Sequence, residues 1–159
     1  MANVLRKGVR PLPAQDSGQM PVKISVKTTI RNGHDHETYE FITFGEYIQK
    51  TSSVFLRYEE ITEEGGNIQT TVKIAEGEGS ILRKGAVKMR LPFQKNKHLT
   101  GSYETPYGTL EMKTKTSRIN HEFNETANKG EIDILYDLNM QGTQAGTYHL
   151  LISFEGEKR

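Results

Sequence analysis

An all-β fold, an antiparallel up-and-down barrel of about eight to ten strands, is what three features of the 159-residue sequence predict. Apolar residues alternate with polar ones along most of the chain, and short turns carrying Gly, Asn or Pro separate the patterned segments. Nowhere do apolar residues keep the i, i+3, i+4, i+7 spacing of a helix for a dozen positions. One buried face per strand and hairpin-length connections favour closure, because a closed barrel leaves no exposed edge.

The strands follow in order. Val22, Ile24, Val26, Thr28 and Ile30 alternate with Lys23, Ser25, Lys27, Thr29 and Arg31, which is one buried and one wet face. Asn32-Gly33 supplies the positive φ of a type I′ hairpin turn, and the returning strand carries Tyr39, Phe41 and Thr43, with a bulge or bend at Gly45. Val54, Leu56, Tyr58 and Glu60 share the next face, Glu63 to Asn67 form a turn, and Ile68, Thr70, Val72 and Ile74 answer them. The segment Ile81, Arg83, Gly85, Val87, Met89, Leu91 and Phe93 reads as one alternating run. After Leu99, Gly101 and Tyr103, the turn Thr105-Pro106-Tyr107-Gly108 suits type I, with proline second and glycine fourth. Two segments follow, Leu110 to Thr116 and Ile119 to Phe123, and then a turn at Asn128-Lys129-Gly130. Ile132 to Leu138 and Tyr148 to Phe154 close the chain.

Residues 1–20 lack either period and read as an arm, an extension or an upstream start; 21–156 form a single barrel domain and 157–159 a tail. Twenty-one Lys and Arg against 20 Asp and Glu leave +1, so overall charge favours neither nucleic acid nor an anionic membrane. No apolar run reaches the roughly 18 residues of a membrane span. Without cysteine there is no disulfide, thiolate nucleophile or Cys-ligated metal, and a cytoplasmic protein with no cofactor is the expectation. The basic amino terminus (Arg6, Lys7, Arg10) has no apolar stretch behind it and does not read as a secretory signal.

The run Tyr103 to Thr116, YETPYGTLEMKTKT, together with Gly130, Ile132, Ile134, Tyr136 and Leu138, resembles the YwiB-like family of small bacterial proteins. Tyr58-Glu59-Glu60, Arg83 to Met89 and the Val22–Ile30 strand agree with it, so the likeness covers about Pro21 to Gly156. The resemblance implies a calycin, lipocalin-like barrel and no biochemical activity, and a fold does not by itself give a function.

Polar residues at the parity of the buried face are the candidate site. Arg83 shares the parity of Ile81 and Met89, Tyr58 and Glu60 follow Leu56, Thr114 and Thr116 follow Met112, and Tyr136 follows Ile134. An arginine in a lumen needs an anionic partner, which Glu60 or a bound carboxylate or phosphate can supply. The expected function is therefore binding of a small anionic or amphipathic ligand by Arg83, Tyr58, Glu60, Tyr136, Thr114 and Thr116, with Tyr103 and Tyr107 at the mouth. The competing structural reading is an Arg–Glu pair that plugs the barrel, or a bulge at Gly85 that turns Arg83 outward.

Other features point elsewhere. Lys84, Lys88 and Arg90 share the wet parity and form a basic stripe suited to nucleic acid or a protein partner, although glutamates of the segment 59–78 stand on strands expected beside it. His34-Asp35-His36 lies at a hairpin tip without a third strong ligand, so no metal site is expected; His98 and His121 stand alone. No nucleophile elbow or phosphate loop appears, and catalysis by Glu60 or Glu122 in the lumen ranks below binding.

Overall fold

The computed structural model describes residues 18–157. Of the arm expected over residues 1–20, residues 1–17 lie outside them, as do the last two residues of the chain, while Gln19 and Met20 belong to the first strand. The described residues form ten strands and no helix: β1 (Gln19–Asn32), β2 (Asp35–Gln49), β3 (Ser53–Ile61), β4 (Asn67–Ala75), β5 (Glu78–Gly85), β6 (Lys88–Gln94), β7 (His98–Thr105), β8 (Gly108–Asn124), β9 (Lys129–Met140) and β10 (Thr143–Gly156). Each pairs antiparallel with its sequence neighbours, and β1 pairs with β10 to close the barrel. No helix long and apolar enough to cross a membrane is present among these residues.

The alternation has the physical cause expected of it. Val22, Ile24 and Val26 point inward and are buried, while Lys23, Ser25 and Lys27 between them are exposed. Inward residues of every strand merge into one core, which includes Leu56, Val72, Ile81, Leu91, Met112, Ile134 and Ile152. Burying each such aliphatic chain contributes about 1.5–3 kcal/mol before the cost of ordering it. An aromatic group anchors one half: the Tyr47 ring lies 4.6 Å from Phe154 and 4.9 Å from Phe123.

Four local expectations are corrected. The run 81–93 is two strands, because the chain turns at Gly85, whose φ of +120° only glycine adopts readily. Arg83 pairs with Met89 across that hairpin, so both halves keep the same parity. Conversely, the two segments at 110–123 are one strand, β8, with a register shift between Thr116 and Arg118 that leaves Ser117 unpaired and moves the inward face from even to odd residues. In the first hairpin Asn32 pairs with Asp35 and only Gly33 has positive φ, so Gly33-His34 is the loop and the turn is not type I′. Finally, Gly45 is not a bulge: the β1–β2 register runs unbroken through it, and it is the last β2 residue, moving toward the hairpin tip, that pairs with β3. From Phe44 to Asp35, β2 leans away from β3 with Tyr39, Phe41, Ile42 and Phe44 exposed.

Candidate functional site

The barrel has two mouths. The first lies at the end carrying the β1–β2, β3–β4 and β5–β6 turns, and the second at the end carrying the β2–β3, β4–β5 and β6–β7 turns.

At the first mouth Arg83 faces inward opposite buried Thr70. Its Nη2 donates to Glu60 Oε2 at 3.0 Å, and Thr70 Oγ1 donates to the same oxygen at 2.8 Å. The two charged side chains are 27% and 23% exposed, so the pair sits at the rim of the lumen. Tyr58, one inward position further along β3, is buried beneath it, with the Phe41 ring 6.2 Å away. Burial pushes the Tyr58 phenol well above its ordinary pKa, the Glu60 charge adds to this, and Arg83 opposes it. Tyr136 lies between Phe93, at 4.8 Å, and Tyr148, stacked at 5.4 Å. Burial raises the Tyr136 phenol, while Tyr148 is raised first by burial and then by the nearby Glu37 carboxylate. Tyr39 hydrogen-bonds that carboxylate. Tyr103, half-buried, packs against the core opposite Met89. Tyr39, Tyr47, Tyr58, Tyr103, Tyr136 and Tyr148 thus carry the inward parity, six of the seven tyrosines, with Tyr39 still exposed. The site expected from the sequence includes only Tyr58, Tyr103 and Tyr136 of these, although Tyr148 shares the parity of Leu150 and Ile152.

Three expected site residues do not join this group. Thr114 and Thr116, each 1% exposed, belong to the wall: Thr114 Oγ1 donates to the Pro92 carbonyl at 2.7 Å, and Thr116 Oγ1 has no partner among the described residues. Tyr107 is 99% exposed, because the Pro106-Tyr107 loop, held by the Thr105 hydroxyl, projects it into solvent. Of the basic stripe, Lys84 and Arg90 are exposed on the outer face, and Lys88 is met by Glu104 of β7 at 3.7 Å. Its neutralising partner thus comes from β7 rather than from the segment 59–78.

The Arg83–Glu60 pair yields a direct test. Glu60→Leu alone leaves a half-buried guanidinium without its carboxylate and should cost about 2 kcal/mol, whereas Glu60→Leu with Arg83→Met should return to within about 1 kcal/mol of the parent. Urea unfolding of the four proteins of this cycle measures both.

The second mouth holds a cleft of about 660 Å³ that the sequence did not disclose. Val54, Ile74 and Ile119 form its floor, and His121, Lys50 and Lys95 stand around it. Beside it Ile74 and Ile119 pack onto Gly79, where a Cβ would lie 2.5 Å from the Lys73 carbonyl oxygen, 3.0 Å from Ile119 Cδ1 and 3.1 Å from Ile74 Cδ1. His121 is not alone, since its Nε2 lies 2.9 Å from the hydroxyl of buried Tyr47. Burial holds the imidazole below its ordinary pKa, against the opposing pull of Glu122. A lowered native value means that the unfolded chain binds the proton first. Stability from this group is therefore complete above about pH 6.5 and falls as pH drops through the lower native value. The urea midpoint should fall more between pH 7.5 and pH 5 in the parent than in His121→Gln.

On the outer wall, Asp133 Oδ1 accepts from Arg118 at 3.1 Å and stands 3.0 Å from His149 Nε2. No hydroxyl or thiol nucleophile adjoins this half-exposed trio in the hydrogen-bond network, and among the described residues no cluster with metal-binding composition occurs.

A closed ten-stranded antiparallel barrel with a packed middle and two polar mouths defines the class. Residues 24–152 match the family described as "Domain of unknown function (DUF1934)", and the chain belongs to that family. It is 35% identical over 138 residues to "Uncharacterized beta-barrel protein YwiB" of Bacillus subtilis (strain 168), covering 87% of this chain and 95% of that protein. The crystal structure of the ywiB protein from Bacillus subtilis superposes with a TM-score of 0.77 at 32% identity, covering 91% of this chain and 99% of the other. The expectation from the resemblance therefore holds for family and barrel.

Proposed function

We propose that the protein binds a small anionic or amphipathic molecule at the first mouth of its barrel. The observation that supports this is an arginine at the rim of the lumen with buried Tyr58 beneath it and Tyr103 across Met89 from it. Among the described residues Arg83 uses one nitrogen on Glu60. A phenol ring offers an apolar face and a polar edge together, which suits an amphipathic guest. An anionic group on that guest would share the guanidinium with Glu60, whose second oxygen makes no bond among the described residues. The absence of cysteine is compatible with a reducing interior, and we place the protein in the cytoplasm.

Native mass spectrometry of gently purified protein tests this reading. A small mass released on denaturation, and carried at about tenfold lower occupancy by Arg83→Met, supports it. A bound mass retained equally by Arg83→Met, or none from repeated low-salt preparations, counts against it.

A further inference from the structure

We propose that the second mouth is a separate binding site for a small carboxylic acid with an apolar body. This site is independent of the Arg83 mouth, which lies at the other end of the barrel. The floor of the cleft is aliphatic, from Val54, Ile74 and Ile119, and at about 660 Å³ it has the size of a small-molecule site. Its polar lining is rich in donors. Lys50 from the β2–β3 turn and Lys95 from the β6–β7 turn both line it, together with Ser52 and Ser53. Glu76 is the one carboxylate among its lining residues, so with a neutral imidazole the charge around the cleft is positive by one. A monoanion matches that balance.

His121 gives the site a directed donor. Gln49 Nε2 donates to the Tyr47 hydroxyl oxygen at 3.4 Å, and we assign the phenol proton to His121 Nε2, the arrangement in which both donors are used. That bond selects the tautomer protonated at Nδ1. Burial keeps the ring neutral, and its Nδ1–H is left for an acceptor in the cleft that His121 lines. A carboxylate placed between the two ammonium groups and this N–H would find three charged or directed donor groups while its body covers Val54, Ile74 and Ile119.

The test uses the full-length protein, with phenylacetate as probe and phenylacetamide as its uncharged counterpart of the same shape. The His121 ring signals, assigned by their loss in His121→Gln, are followed by NMR. The expected result is a saturable shift with phenylacetate and about tenfold weaker binding of phenylacetamide. Lys50→Ala with Lys95→Ala should weaken phenylacetate about tenfold, and both residues are exposed, so the fold should persist. Arg83→Met should stay within about twofold of the parent, which separates this site from the first mouth. Equal affinity for acid and amide, unchanged affinity in the double lysine variant, or no saturable shift up to about 100 mM would each overturn the proposal.

Discussion

Gly45→Ala is expected to lower the unfolding free energy by about 3 kcal/mol, a large loss for one methyl group. The reason lies in the β2–β3 pairing. A Cβ on Gly45 would stand 1.9 Å from the Arg57 carbonyl oxygen and 3.0 Å from Ile24 Cδ1. Both neighbours are fixed, one as backbone and the other as fully buried core. The strands can relieve the clash only by separating, which would break the Gly45–Tyr58 and Glu46–Arg57 pairings where β2 already parts from β3. Gly33→Asn is the matched control: that turn glycine has φ +67°, a Cβ there would meet nothing within 4 Å, and asparagine tolerates the conformation. Its cost should be under about 1 kcal/mol. Chemical denaturation of both variants decides whether close approach, rather than glycine loss as such, carries the effect.

Phe154→Ala should cost about 4 kcal/mol, because it empties a site 2% exposed where the ring packs on Tyr47 and Phe123. The same ring occupies the space in front of Gly130, where an added Cβ would meet Phe154 Cζ at 2.3 Å. Gly130→Ala alone should therefore cost about 2 kcal/mol, and in a Phe154→Leu background that cost should shrink by at least about 1 kcal/mol. Additive losses in this double-mutant cycle would show that the strain at Gly130 comes from the Glu122 carbonyl, 3.0 Å away, and not from the ring.

Side-chain parity makes much of the barrel legible, and the same parity finds part of the site. It puts Arg83, Glu60 and Tyr58 inside, and the structure joins them. What it misses has physical causes. Gly85-Ala86-Val87 ends in a β-branched residue and carries none of the Asn, Asp or Pro that mark hairpin loops, so a turn reads as continuing strand. Ser117 is an ordinary strand residue whose extra place in the ladder only the partner strand reveals. These two errors offset each other in the strand count. His121 shares its inward face with Ile119 and Phe123, and the parity test applied to Arg83 would have selected it too. Its partner Tyr47, however, stands 74 residues earlier, and nothing local in the sequence joins them. Nor does sequence tell which stretches of a lumen are filled: Ile74 and Ile119 close over Gly79, a property of two walls at once.

The order of pairing also has a kinetic meaning. Every ladder but one joins strands that follow each other in the chain, and the exception is the β1–β10 seam, where Val22 meets Gly156 and the Glu157 amide donates to the Pro21 carbonyl at 3.0 Å. Hairpins can form with short loops to close, whereas the seam must bring together residues separated by nearly the whole domain. Closure is thus the entropically expensive late event of folding. The seam is also where the two ends of the domain lie side by side, which makes this a fold whose chain can be rejoined and cut elsewhere without changing its ladders.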